Sequence, residues 1–109
     1  MLKKINRLSG LRIRQREQSL DTPLFKINTF LATHENIKFG FIVSKKIDKR
    51  AVVRNETKRV LKKSVKSFID KLISNKNIII IAKSKIKFKE EENIRRDLES
   101  AFKKLKLLK

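Results

Sequence analysis

Apolar residues along this 109-residue chain recur with two different periods, and the changes of period mark out its elements. From Leu24 to Ala32 the pattern alternates. Phe25, Ile27, Thr29 and Leu31 fall on one side and Lys26, Asn28 and Phe30 on the other, as a half-buried strand requires. Thr33-His34-Glu35-Asn36 is a short polar connection to a second alternating run, Ile37 to Lys45, which aligns Phe39, Phe41 and Val43 with Gly40 opposite. Two such runs joined so briefly predict an antiparallel hairpin. From Arg50 to Ile73 the spacing shifts to three and four. Val53, Val60, Leu61, Ser64, Val65, Phe68, Ile69 and Leu72 form the stripe of a long amphipathic helix, while Asn55, Lys58, Arg59, Lys62, Lys63 and Lys66 fall on its other face.

Polar Ser74-Asn75-Lys76-Asn77 then gives way to Ile78-Ile79-Ile80-Ile81-Ala82. A β-branched run with no alternation predicts a strand buried on both faces, at the centre of a sheet. A closing helix from Lys89 to Leu107 places Ile94, Leu98, Ala101, Phe102 and Leu105 on one stripe. Its Glu90-Glu91-Glu92 start and its Lys103, Lys104 and Lys106 end suit the helix dipole. Upstream, Ser9 is positioned to cap a short helix running to Ser19, with a thin apolar face interrupted by Arg12, Arg14 and Arg16. Asp21-Thr22-Pro23 reads as a turn, because the residue before proline is pushed out of the helical region.

A chain of this length accommodates one modest core, so residues 1–109 read as a single domain. Charge changes the picture more than length does. Lys plus Arg number 30 against 11 Asp plus Glu, a formal net charge of +19. Self-repulsion on that scale calls for a polyanionic partner, and RNA, DNA and an anionic membrane are all candidates. The absence of Cys excludes disulfides and thiolate metal sites, and fits a reducing compartment, read here as the cytoplasm. The longest apolar run, Ile78 to Ala82, is far short of the roughly 20 residues of a membrane-spanning helix. Lys3, Lys4, Asn6 and Arg7 interrupt any secretory signal.

Cations concentrate where the long helix begins. Lys45, Lys46, Lys49, Arg50 and Arg54 lead into Asn55, Lys58, Arg59 and Lys62, and the only acid from Arg50 to Lys66 is Glu56. Arg supplies a planar fork that matches phosphate oxygens two at a time, and Lys a mobile point charge. A membrane-surface helix is the main competitor, but it calls for aromatics at the rim of its apolar face and only Phe68 qualifies. Independent catalysis finds few groups to use. The lone His34 sits in the predicted connection, Glu90-Glu91-Glu92 is explained by the dipole, and Asp97 and Glu99 by pairing with Arg95, Arg96 and Lys103. No catalytic residue and no metal ligand is expected in the chain. Phe30, sharing a face with Lys26 and Asn28, is the candidate for an exposed ring that stacks an unpaired base.

Ile42-Val43-Ser44-Lys45-Lys46, followed by Ala51-Val52-Val53-Arg54-Asn55 and Lys58-Arg59-Val60-Leu61-Lys62, resembles the Arg-Asn signature of the protein subunit of bacterial ribonuclease P. Asn6-Arg7-Leu8 and Ile78 to Lys83 are similar to further landmarks of that family, so the resemblance spans nearly the whole chain. It implies an α/β fold, an α+β sandwich whose small mixed sheet follows the order α-β-β-(β)-α-β-α. The signature helix is implied to lie in a left-handed βαβ crossover, against the right-handed rule that holds in about 98% of cases. It also implies a function. The protein would bind the catalytic RNA and the 5′ leader of precursor tRNA, and assist leader removal that depends on Mg2+ used by the RNA-containing holoenzyme. Catalysis would belong to the RNA, and neither a membrane nor a further protein partner is required.

The resemblance implies catalytic-RNA contacts from Lys45, Lys46, Arg54, Asn55, Lys58, Arg59 and Lys62, with Lys49 and Arg50 beside them and Lys3, Lys4 and Arg7 in addition. Lys26, Asn28 and Phe30 would line the leader-binding cleft. The chain departs from the family at two places. Glu56 stands where a basic residue is common, and residues 9–22 carry none of the aromatics the family's first helix usually supplies, while Asn28 stands where a strand aromatic is often found. A ribosomal-type structural RNA-binding protein is the alternative reading, with a basic DNA-packaging protein behind it.

Overall fold

The computed structural model describes residues 16–31, 37–73, 76–87 and 89–108. Lys3, Lys4, Arg7, His34 and the start of the predicted first helix lie outside them. Four strands and two helices follow in the order β1 (Arg16–Asp21), β2 (Phe25–Leu31), β3 (Lys38–Ile42), α1 (Ala51–Lys66), β4 (Lys76–Ala82) and α2 (Glu91–Lys104).

The sheet order is β1-β2-β4-β3, which corrects two expectations. β2 and β3 do not form a hairpin; β4 lies between them, antiparallel to β2 and parallel to β3. The hairpin is β1-β2 instead, so Arg16 to Ser19 are strand where the pattern predicts a helix. Its turn is built by Thr22, whose Oγ1 accepts from the Phe25 N–H at 3.0 Å and donates to the Phe25 carbonyl at 2.9 Å. A neighbouring strand outweighs the thin apolar face that residues 16–19 would give a helix, because it supplies a ladder partner for their backbone. The Asp21 carboxylate then fastens the end of β1 to Lys83, just past β4, at 2.7 Å.

β4 occupies the interior of the sheet, as its isoleucine run predicts. Ile78 and Ile80 are fully buried on one face and Ile79 is buried on the other. On the first face they join Phe25, Ile27, Phe39, Leu61, Val65, Leu98 and Phe102 in one core. Phe102 is its hub, with its ring centroid 5.6 Å from Phe68 in a T-shaped contact and 6.3 Å from Phe39. Both helices pack on this side, and Lys63 of α1 reaches Glu91 of α2 at 3.5 Å.

The long helix ends earlier than its pattern suggests, at Lys66, and a 3₁₀ turn over Ile69–Lys71 follows. Ser64 and Ser67 bring this about: their hydroxyls donate to the carbonyls of Val60 at 2.8 Å and Ser64 at 2.7 Å, competing with the helical ladder. Phe68 and Leu72 still reach the core, so the apolar period outlasts the helix. α2 likewise stops at Lys104. Lys106 adopts φ 56°, and the N–H groups of Lys106 and Leu107 bond the carbonyls of Lys103 and Phe102. That pair of bonds is a Schellman cap. It returns the chain so that the Leu107 carbonyl accepts from Ile73 N–H at 2.8 Å and Leu108 bridges to Leu72.

Candidate nucleic-acid interface

The segment between β3 and α1 is a shaped loop. Val43 and Ile47 are buried at either side of it, and the Ile47 N–H closes a turn onto the Ser44 carbonyl at 3.0 Å. Lys45 and Lys46 form the corner of that turn and are exposed, as are Lys49 and Arg50. Two buried side chains thus anchor a loop that turns four cations to solvent.

Two residues give the loop its internal order. Asp48 Oδ1 accepts from the Arg50 backbone N–H at 2.8 Å and from Arg50 Nε at 3.1 Å, while Oδ2 accepts from the other arm of that guanidinium at 3.0 Å. Lys87, after β4, approaches the same carboxylate at 3.5 Å, and only 9% of the Asp48 side chain stays exposed. The Arg50 guanidinium and N–H hold the Asp48 carboxyl far below the usual carboxylate range. Arg54, one turn into α1, donates one amino group to the carbonyls of Asp48 at 3.1 Å and Lys49 at 2.9 Å. The signature arginine is therefore partly a structural residue, binding the loop backbone to the helix. Sequence reasoning passes over Asp48. The available signal is an acid two residues before an arginine at a helix start, the spacing of an Asx turn.

α1 begins without a side-chain cap on its first N–H groups and with no acid in its first turn. Those donors and the positive end of the helix dipole add to the field of the loop. Along the helix, Asn55, Lys58, Arg59, Lys62, Lys63 and Lys66 line a concavity of about 640 Å³. These are the residues that helical spacing places opposite the apolar stripe. Leu61, Ser64 and Val65 are buried on that stripe, together with Thr57, whose hydroxyl is tied to the Val53 carbonyl at 2.9 Å.

Glu56 interrupts this surface. It grips the Arg59 guanidinium in a two-pronged pair, with Nε at 3.0 Å from Oε2, and Arg59 holds the Glu56 carboxyl below its ordinary value. Both side chains are more than half exposed, so the pair is weak and open to exchange with an incoming phosphate. On α2, Glu99 pairs with Lys103 at 3.5 Å, but Arg96 turns to Glu92 at 3.2 Å rather than to Asp97 or Glu99.

The opposite face of the sheet corrects the expectation for Phe30. Lys26, Asn28 and Phe30 do share that face, but Phe30 is only 6% exposed and cannot stack a base without leaving its packing. β2 is an interior strand, with β1 and β4 on its two sides, and the second face of such a strand is readily covered. Lys26 and Asn28 are half-buried, with Asn28 in the same cross-strand row as Ile79 and Gly40. No group of three or more His, Asp or Glu that could hold a metal ion occurs among the described residues, and no helix among them is long and apolar enough to cross a membrane.

The family model for ribonuclease P matches residues 7–106. A ribonuclease P protein component from Fusobacterium nucleatum is 38% identical over 78 residues, covering 68% of this chain and 69% of that one. One from Bacillus cereus is 36% identical over 69 residues, covering 63% and 59%. Among solved structures, the Staphylococcus aureus RNase P protein superposes with a TM-score of 0.75 at 28% identity, over 84% of each chain. The parallel β3-α1-β4 unit, the cationic loop and the match over residues 7–106 agree: the chain belongs to the ribonuclease P protein family, the protein component of the ribonucleoprotein endonuclease that processes the 5′ end of tRNA.

Proposed function

We propose that this chain, as one cytoplasmic domain, holds the catalytic RNA of ribonuclease P against the loop Lys45, Lys46, Lys49, Arg50 and the α1 face Arg54, Asn55, Lys58, Arg59 and Lys62. The supporting observation is the union of an ordered cationic loop with a cationic helix concavity, in which the acids Asp48 of the loop and Glu56 of the helix are each paired with an arginine. Such a surface neutralises phosphates and releases counterions; it contains no group that would cut a phosphodiester.

Precursor tRNA is the second partner. Lys26 and Asn28, half-buried on the opposite sheet face, are the residues available to its leader, whereas Phe30 supports the sheet and does not touch the leader. Lys3, Lys4 and Arg7 remain additional RNA contacts in this reading, by their charge alone. The described donor set does not fit a divalent cation, so Mg2+ is assigned to the RNA-containing holoenzyme and no step passes through it here.

The test adds the protein to a bacterial ribonuclease P RNA at low magnesium and follows cleavage of precursor tRNA. Stimulation is expected, with Lys45→Ala/Lys46→Ala and Arg59→Ala each weakening assembly. Absence of stimulation, with tight binding to ribosomal RNA instead, would establish the structural RNA-binding alternative.

A further inference from the structure

Asp48 lies amid four cations of the loop and carries the wrong sign for an RNA surface. Its only described roles are internal: it accepts the Arg50 N–H at 2.8 Å, grips the Arg50 guanidinium through both oxygens, and meets Lys87 from beyond β4. The carbonyl of the same residue accepts from Arg54 at 3.1 Å. Asp48 therefore joins the loop to α1 through Arg54, to the helix entrance through Arg50, and to the 3₁₀ turn that follows β4 through Lys87.

We infer that Asp48 is the positioning residue of the polyanion-binding loop, fixing Lys45, Lys46, Lys49 and Arg50 in a preformed array that RNA meets without having to order it. The inference rests on the proposed RNA interface and adds a role that charge alone would assign in reverse. Electrostatics by itself makes any acid in this surface a liability, and its removal an improvement. Preorganisation makes Asp48 a contributor, because side chains already held in place lose less conformational freedom when phosphate binds.

Glu56 provides the internal comparison. It is also an acid within the cationic segment and also pairs with an arginine, but more than half of its side chain is exposed and that side chain ties down no backbone group among the described residues. Asp48→Asn and Glu56→Gln each remove one negative charge and each preserve side-chain size. Glu56→Gln is expected to tighten binding to ribonuclease P RNA by freeing Arg59. Asp48→Asn is expected to weaken it by about fivefold to tenfold near physiological salt, with the slope of log affinity against log salt shallower by about 0.7–0.9 for each phosphate no longer engaged.

A second readout needs no RNA. Hydrogen exchange at the Arg50 amide should accelerate in Asp48→Ala, which leaves that N–H without its acceptor, while the amides of α2 and β4 keep their protection. Should Asp48→Ala fold poorly, Asp48→Asn still reads the affinity, since it keeps an acceptor for the Arg50 N–H but releases the charged grip on the guanidinium, and is expected to fall between the wild type and Asp48→Ala. Tightening in Asp48→Asn equal to that in Glu56→Gln, or an unchanged Arg50 amide in Asp48→Ala, overturns the positioning role while leaving the interface intact. If Lys45→Ala/Lys46→Ala also leaves RNA affinity untouched, the interface itself is overturned and the inference with it.

Discussion

A phenylalanine between a lysine and an asparagine on one face of a strand carries no mark of whether that face meets solvent. Alternation places Phe30 opposite Phe25 and Ile27, and the structure agrees; the ring is buried, on a strand flanked by β1 on one side and, from far along the chain, by β4 on the other. Phe30→Ala is therefore a core truncation, expected to cost about 3–5 kcal/mol of folding free energy, as removal of a buried aromatic generally does. Urea unfolding measures this directly. The folded fraction should bind precursors with long and short leaders in the wild-type ratio, and a variant of undiminished stability that selectively loses long-leader binding would restore the stacking role. What is legible at this scale is residue type and side. The cations Lys45, Lys46, Lys49 and Arg50 can be picked out because solvated charge needs no partner to be recognised. The bonds by which Arg54 and Asp48 order the loop cannot, since both depend on loop carbonyls and amides whose positions no pattern records.

Elements are more legible than their pairing. The isoleucine run leads to a central strand because a segment apolar on both sides has nowhere else to go, and α1 follows from a stripe that switches to three- and four-residue steps. The false β2-β3 hairpin arises because a short polar connection looks the same whether or not a later strand inserts between its neighbours. The helix ends are blurred for a related reason: buried Phe68 and Leu107 continue the apolar pattern after the backbone has left the helix. At the end of α2 this carries a cost. Lys106 holds φ 56°, a conformation that crowds its Cβ, in the cap position where glycine is most often found. Lys106→Gly removes that crowding while keeping the Leu107 to Phe102 bond, and is expected to stabilise the fold by about 0.4–1 kcal/mol net of the added freedom of the unfolded chain. Denaturant midpoints at equal slope would show it, and a lowered midpoint would mean that the lysine side chain contributes more than its backbone costs.

For the whole molecule, the decisive comparison is between its size and the reach of its own field. The radius of gyration is 13.0 Å and the net charge +19. At 0.01 M salt the screening length of about 30 Å exceeds that radius, so the charges across the domain repel one another; at 0.15 M it falls to about 8 Å and the repulsion becomes local. The ion pairs in the fold act in the opposite sense, since salt weakens them. Among the described residues most are exposed pairs such as Glu56–Arg59 and Glu92–Arg96, each worth little. Repulsion should therefore dominate, and the thermal midpoint should rise between 0.01 and 0.15 M sodium chloride, by about 4–8 °C for every kcal/mol of repulsion relieved in a domain of this size. A polyanion at the same ionic strength should raise it further, because it binds the folded cationic surface in preference to the dispersed charges of the unfolded chain. Circular dichroism melts across a salt series, with and without a short RNA duplex, separate the two effects. A midpoint that falls with salt would show instead that internal pairing such as Asp48 with Arg50 and Lys87 outweighs repulsion, and that the domain is built to stand without its RNA.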